Sequence, residues 1–202
     1  MKPKDHIKIP QPKVGVILVN LGTPEATNYT SMWKYLREFL SDKRVIELPR
    51  ILWFPILYFI ILVVRPKKSG KLYEKIWNKK KGVSPLKEIT AKVTEKLKAK
   101  IKTSKIQIDY AMNYGNPSIS KIMTSQFNQG CNKILIVPMY PQYSATTTAS
   151  VVDKVFSHLK NIRWQPTIRF CPPYFDDKIY IKALSAEIKK QLKEKRIHSK
   201  KI

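Results

Sequence analysis

The stretch Lys133–Ser150 reads KILIVPMYPQYSATTTAS, and its two halves set the architecture of the chain. KILIV (Lys133 to Val137) is an apolar, β-branched run between Gly130 and the prolines Pro138 and Pro141, the pattern of a buried parallel strand. Downstream, Val151, Val152, Val155, Phe156 and Leu159 recur at helical spacing. Ser144, Thr146, Thr147, Thr148 and Ser150 are therefore predicted to occupy a strand-to-helix turn. Hydroxyls and free backbone N–H groups there can cap the helix or hold a carboxylate or phosphate. In open α/β sheets, ligands gather at the carboxyl ends of strands, where this turn would lie.

Working outward, VGVILVN (Val14 to Asn20) is a first buried strand, turned by LGTP into a helix over Thr27 to Leu40 with Met32, Leu36, Phe39 and Leu40 inward. The turn has one glycine and does not match the GxGxxG dinucleotide fingerprint. Ile51 to Val64, ILWFPILYFIILVV, is the most apolar segment, but its fourteen residues and internal Pro55 fall short of the twenty or so that a membrane span needs. It reads equally as a buried helix, a membrane-surface element or the apolar wall of a ligand pocket. Arg65, Lys67, Lys68 and Lys71 give it a cationic rim, suited to anionic headgroups or to the carboxylates of an apolar ligand. Tyr73 to Ser84 is predicted as a charged, turn-like passage. Ser84 then caps a helix with Pro85 at its first position and Leu86, Ile89, Val93 and Leu97 as its apolar stripe. A strand follows at Ile106 to Met112, then a helix with Ile119, Ile122, Met123 and Phe127 inward, stopped at Gly130. Beyond the opening stretch come a strand at Thr167 to Cys171 and a helix over about Asp176 to Leu192, with Ile179, Leu184, Ile188 and Leu192 on one face. Strands alternating with helices predict an α/β fold with a parallel sheet and helices on both faces.

The chain has 202 residues and a net charge of +25, from 39 basic and 14 acidic residues. Such a charge favours acidic partners. Lysine supplies 32 of the basic residues, however, spread along every helix, and no nucleic-acid module is present, so nucleic acid is not expected as a partner. Cys131 and Cys171 have neither CxxC spacing nor a disulfide framework, and MKPKDHIKIPQPK lacks an apolar core, so a cytoplasmic protein without a signal peptide is expected.

VNLGTPE (Val19 to Glu25), FLSDKRVIELPR (Phe39 to Arg50), RPKKSGKLYEKIW (Arg65 to Trp77), SPL (Ser84 to Leu86), YGNPSI (Tyr114 to Ile119) and YPQYSATTTAS (Tyr140 to Ser150) together resemble bacterial ferrochelatases. They occur in that family's order and cover Val14 to about Leu192. The resemblance implies two Rossmann-like halves with a porphyrin cleft between them, the first over 14–128 after a loose lead-in of 1–13. The second would begin at Gln129 and be incomplete over 129–202. It implies insertion of Fe²⁺ into protoporphyrin IX, the last step of protohaem synthesis. Carried over by position, Leu21 would lie near the macrocycle, and Ile51 to Val64 would form an apolar lip that touches membrane. Arg65, Lys68, Tyr73 and Ser84 would hold the propionates, and Tyr114, Tyr140 and Ser144 would line the deeper cleft.

Two departures stand out. Asn113 occupies a position where the family usually has Arg. Metallation removes two pyrrole protons, for which a base near the ring is needed, and the family's His, in an SxHG-like motif, and its Glu fall beyond Ile202. His6, His158 and His198 match neither, so no catalytic residue is assigned. The chain thus resembles the N-terminal part of a ferrochelatase: an incomplete or frameshifted sequence, one piece of a split enzyme, or a non-catalytic porphyrin- or haem-binding module. Ala145 stands where cluster-bearing members have Cys, so no iron–sulfur cluster is expected. An incomplete second half is further expected to expose apolar surface on the last helix.

Overall fold

The computed structural model describes residues 12–194; His6 and His198 lie outside them. Four parallel strands form one sheet in the order β2-β1-β3-β4, with β1 Lys13–Gly22, β2 Ile106–Tyr114, β3 Cys131–Pro138 and β4 Thr167–Phe170. The predicted strands are all present, and β1 is central because its apolar run is paired on both sides, Ile17 with Asp109 and with Ile136. The expected start of a second half at Gln129 falls between strands of one sheet. β3 aligns with β1 from Lys13 to Val19 and β4 with β3, so both sides of that boundary share one sheet and one core.

Helices cover both faces. On one, α5 (Ile119–Asn128) and α6 (Ser150–Leu159) place Met123, Val151, Val155 and Leu159 against Ile17, Val19, Ile134 and Ile136. On the other, α4 (Pro85–Lys100) covers β1 and β2, with the Asn20 amide donating to Thr90 Oγ1 at 3.0 Å. Its buried residues are Thr90 and Thr94, while Ile89 and Val93 of the predicted stripe are exposed. Each threonine hydroxyl donates back to the carbonyl four residues earlier, so these small side chains lie against the sheet without an unpaired hydroxyl.

α1 (Tyr29–Leu40), capped by Asn28, packs against a run made of α2 (Arg50–Ile56), a π-helical turn (Leu57–Ile61) and α3 (Leu62–Ile76). Met32, Tyr35, Leu36, Leu40, Trp53, Leu57 and Leu62 form a second core that meets the sheet at Tyr114. The passage read as turn-like from Tyr73 is helical as far as Ile76; the turn proper is closed by a bridge between Asn78 and Val83. α7 (Lys178–Glu194) buries none of its residues, so the apolar surface expected on the last helix is exposed.

Candidate functional site

The chain runs from β1 to β2 on one side of the sheet and then crosses to β3 on the other, so the strand order reverses between β1 and β3. Open α/β sheets bind ligands at such a reversal, beyond the carboxyl ends of the strands. Leu21 is the penultimate residue of β1 there, and Tyr140 and Ser144 follow β3. Thr23 Oγ1, Asn113 Oδ1 and Tyr140 Oη, at the ends of β1, β2 and β3, are buried without a hydrogen-bond partner, among six such side-chain atoms in the described residues. Unpaired buried polar atoms are rare in folded proteins, and three at one end of a sheet mark a place able to receive a ligand or water. Burial pushes the Tyr140 phenol up, so it remains a donor.

Behind this rim lies a polar network. Tyr114, 0% exposed, donates to Asp42 Oδ2 at 2.7 Å and meets Ser150 Oγ at 2.9 Å. Ser150 also donates to Asp42 Oδ2 and accepts from Asn113 Nδ2 at 2.8 Å. Burial opposes the Asp42 charge, but hydrogen bonds from Ser150, Tyr114 and the Arg44 amide, with the nearby Lys154 charge, hold its carboxyl below the usual range. Burial, aided by the Asp42 charge, raises the Tyr114 phenol despite the Ser150 contact. Lys154 donates to the Asn113 carbonyl and to Glu38 Oε1 (2.7 Å), and its ammonium lies 4.2 Å from the Tyr114 ring centroid. A cation therefore stands beside neutral Asn113, where the resemblance expects Arg.

The eight sequence-derived site residues divide by placement. Leu21 and Tyr73 pack on the second core, which contains Tyr114. Tyr73 stands edge-on to Tyr35, with ring centroids 6.4 Å apart. Arg65 and Lys68 are exposed on α3. Tyr114 lies beneath the surface, its hydroxyl held by Asp42 and Ser150. Ser84 is 1% exposed and caps α4 by accepting from the Lys87 amide, so its oxygen is already engaged. Ser144 bonds Thr147 Oγ1 at 2.6 Å and Thr146 Oγ1 at 3.1 Å. The predicted turn is also corrected: Ala145–Ala149 is a π-helical turn leading straight into α6, because Thr147 N and Ala149 N bond back to the Ser144 carbonyl.

The apolar segment resolves into two faces. Trp53, Leu57 and Leu62 enter the second core, whereas Ile51 is 86% and Phe59 80% exposed. This outer ridge runs into Arg65, Lys67, Lys68 and Lys71. His158 sits on α6 with Nε2 3.5 Å from Thr124 Oγ1, and burial lowers its pKa. Among the described residues, no group of three or more His, Cys, Asp or Glu is placed to hold a metal ion.

Asp42, Glu38 and Lys154 escaped sequence reasoning. One signal was available: Asp42 follows the carbonyl end of α1, where a carboxylate is unfavourable unless held from elsewhere.

The sequence model of the ferrochelatase family matches residues 13–202. Among curated proteins, the chain is 51% identical over 191 residues to a ferrochelatase of Agrobacterium fabrum, covering 94% of this chain and 56% of that protein. It is 50% identical over 190 residues to one of Brucella anthropi, covering 94% and 54%, and 50% identical over 181 residues to one of Mesorhizobium japonicum, covering 89% and 51%. The chain spans about half the length of the curated relatives it matches.

Proposed function

This chain belongs to the ferrochelatase family, and from that membership we propose that it binds protoporphyrin IX for insertion of Fe²⁺, both being substrates. The observation that supports the reading is the carboxyl end of the sheet, where Thr23, Asn113 and Tyr140 carry buried unpaired polar atoms, on the same chain as an apolar ridge that ends in cations. A flat apolar macrocycle needs the ridge. Its carboxylates need the cations, which form charge-assisted hydrogen bonds with them. The proton acceptor for the pyrrole nitrogens is assigned to none of the described residues. Porphyrin or haem binding without metallation is the second reading.

Titration with protoporphyrin IX, followed by its Soret band, tests the binding, and addition of Fe²⁺ under reducing, anaerobic conditions separates the two readings. Arg65→Ala with Lys68→Ala is expected to raise the porphyrin Kd at least about tenfold, equivalent to about 1.4 kcal/mol. Unchanged affinity removes both residues from the site.

The same ridge, with Arg65, Lys67, Lys68 and Lys71 beside it, also suits peripheral contact with an anionic membrane. No helix among the described residues is long and apolar enough to cross one. Phe59→Asp is expected to reduce co-flotation with phosphatidylglycerol vesicles several-fold, and equal flotation of the variant would assign the contact elsewhere.

A further inference from the structure

Beside β2, which ends the sheet, α4 and the turn before it enclose a trough of about 570 Å³. It shares no residue with the unpaired atoms at the carboxyl end of the sheet or with the apolar ridge, and its volume is in the range of small-molecule sites. Its floor is apolar, with Val83 from the turn, Ala91 from α4 and Tyr110 from β2. The α4 residues along it recur in pairs, Lys87 with Glu88, Ala91 with Lys92 and Glu95 with Lys96, on one side of three successive turns. The site is therefore elongated, about 14 Å from Lys87 to Lys96 at a rise of about 1.5 Å per residue. The small side chain of Ala91 keeps its middle open.

Charge decides what can enter. Lys81, Lys87, Lys92 and Lys96 outnumber Glu88 and Glu95 on the walls, and both carboxylates are engaged. Glu88 accepts from Lys81 at 2.7 Å and from Asn78 at 2.8 Å and pairs with Lys92 at 2.8 Å, while Glu95 pairs with Lys98 at 3.0 Å. A cationic ligand would find no free acceptor there. Lys96, by contrast, has no carboxylate partner among the described residues. A second copy would bring a charge of +25 against itself. A flat lipid surface could touch the lysines but not reach a recessed floor. An apolar chain laid on Val83, Ala91 and Tyr110, with an anionic end among the ammonium groups, satisfies both parts of the trough. The lysine stems would cover the chain while their heads form charge-assisted hydrogen bonds with the anion. We infer that the trough between α4 and β2 binds an amphipathic carboxylate, an unbranched apolar chain with one anionic end.

The test is calorimetric titration of the full chain with sodium dodecanoate below its micelle threshold. Saturation at one dodecanoate per chain is expected. Lys92→Ala with Lys96→Ala should weaken it at least about tenfold, through loss of charge-assisted hydrogen bonds. Both lysines are exposed, so this double variant should keep the circular dichroism of the parent. Ala91→Phe, which fills the trough, should abolish saturable binding, whereas Arg65→Ala with Lys68→Ala, beside the ridge, should leave it unchanged. The inference is overturned by absence of saturable binding, or by binding that the ridge variant removes and the trough variants retain. It is equally overturned if dodecyltrimethylammonium, the same chain with a cationic end, binds as tightly. Porphyrin titration of the same proteins reports separately on the proposed function, so failure of one leaves the other standing.

Discussion

Asp42→Ala is expected to destabilise the fold by about 2–4 kcal/mol, because the hydroxyls of Tyr114 and Ser150 each lose a buried acceptor. Urea unfolding at neutral pH measures the loss, and a change below about 0.5 kcal/mol, the level of ordinary surface substitutions, would mean that the carboxylate is dispensable. Asp42→Asn adds a proton dependence to the comparison. The folded carboxyl titrates below its ordinary value, so the stability it contributes is present above the unfolded pKa of about 3.9. That contribution is lost as the pH falls through the lower folded pKa. The gap between parent and Asp42→Asn should therefore be widest near neutrality and close as the pH falls through the lower folded pKa. A constant gap would show that the charge of Asp42 is not what the network uses.

Gly22→Ala should be more damaging, by about 4 kcal/mol or more, in the range that only a few mechanisms reach. Gly22 closes β1 with φ of 109°, a left-handed conformation that L residues rarely adopt. An added Cβ would also lie 1.8 Å from the Tyr114 carbonyl oxygen and 2.9 Å from its amide nitrogen, both backbone atoms unable to swing aside. Relief requires parting β1 from β2 at the carboxyl end of the sheet. The expected result is a cooperative transition at much lower urea, or no folded protein. A variant of parental stability would mean that this turn yields more readily than its geometry implies.

What was legible in the sequence follows the range of the forces involved. The Ser84–Pro85 start of α4 and the apolar strands are written in neighbouring residues, and each appears where its pattern places it. The face that α4 buries was not legible, because Ile89 and Val93 outrank Thr90 and Thr94 in apolarity. Only the nearness of the sheet favours the smaller pair. The joining of β3 to β1 across Gln129 was not legible for a related reason. Whether β3 joins β1 or begins another sheet is decided by pairing across more than a hundred residues, which no local pattern records. At the site, motif wording supplied Leu21, Tyr140 and Ser144, but it could not show Tyr114 beneath the surface or Ser84 engaged as a cap. The link from Ser150 to Asp42 spans 108 positions and leaves no periodic trace.

The central place of β1 has a consequence for how the protein is made. Val14 leaves the ribosome about 120 residues before Lys133, its neighbour on the β3 side. At a synthesis rate of roughly 5–20 residues per second, that edge of an apolar strand waits several seconds or longer for its partner. Throughout that interval VGVILVN offers unpaired amides and carbonyls to any other nascent chain. Early engagement by a holdase should therefore raise the soluble yield more than any later assistance.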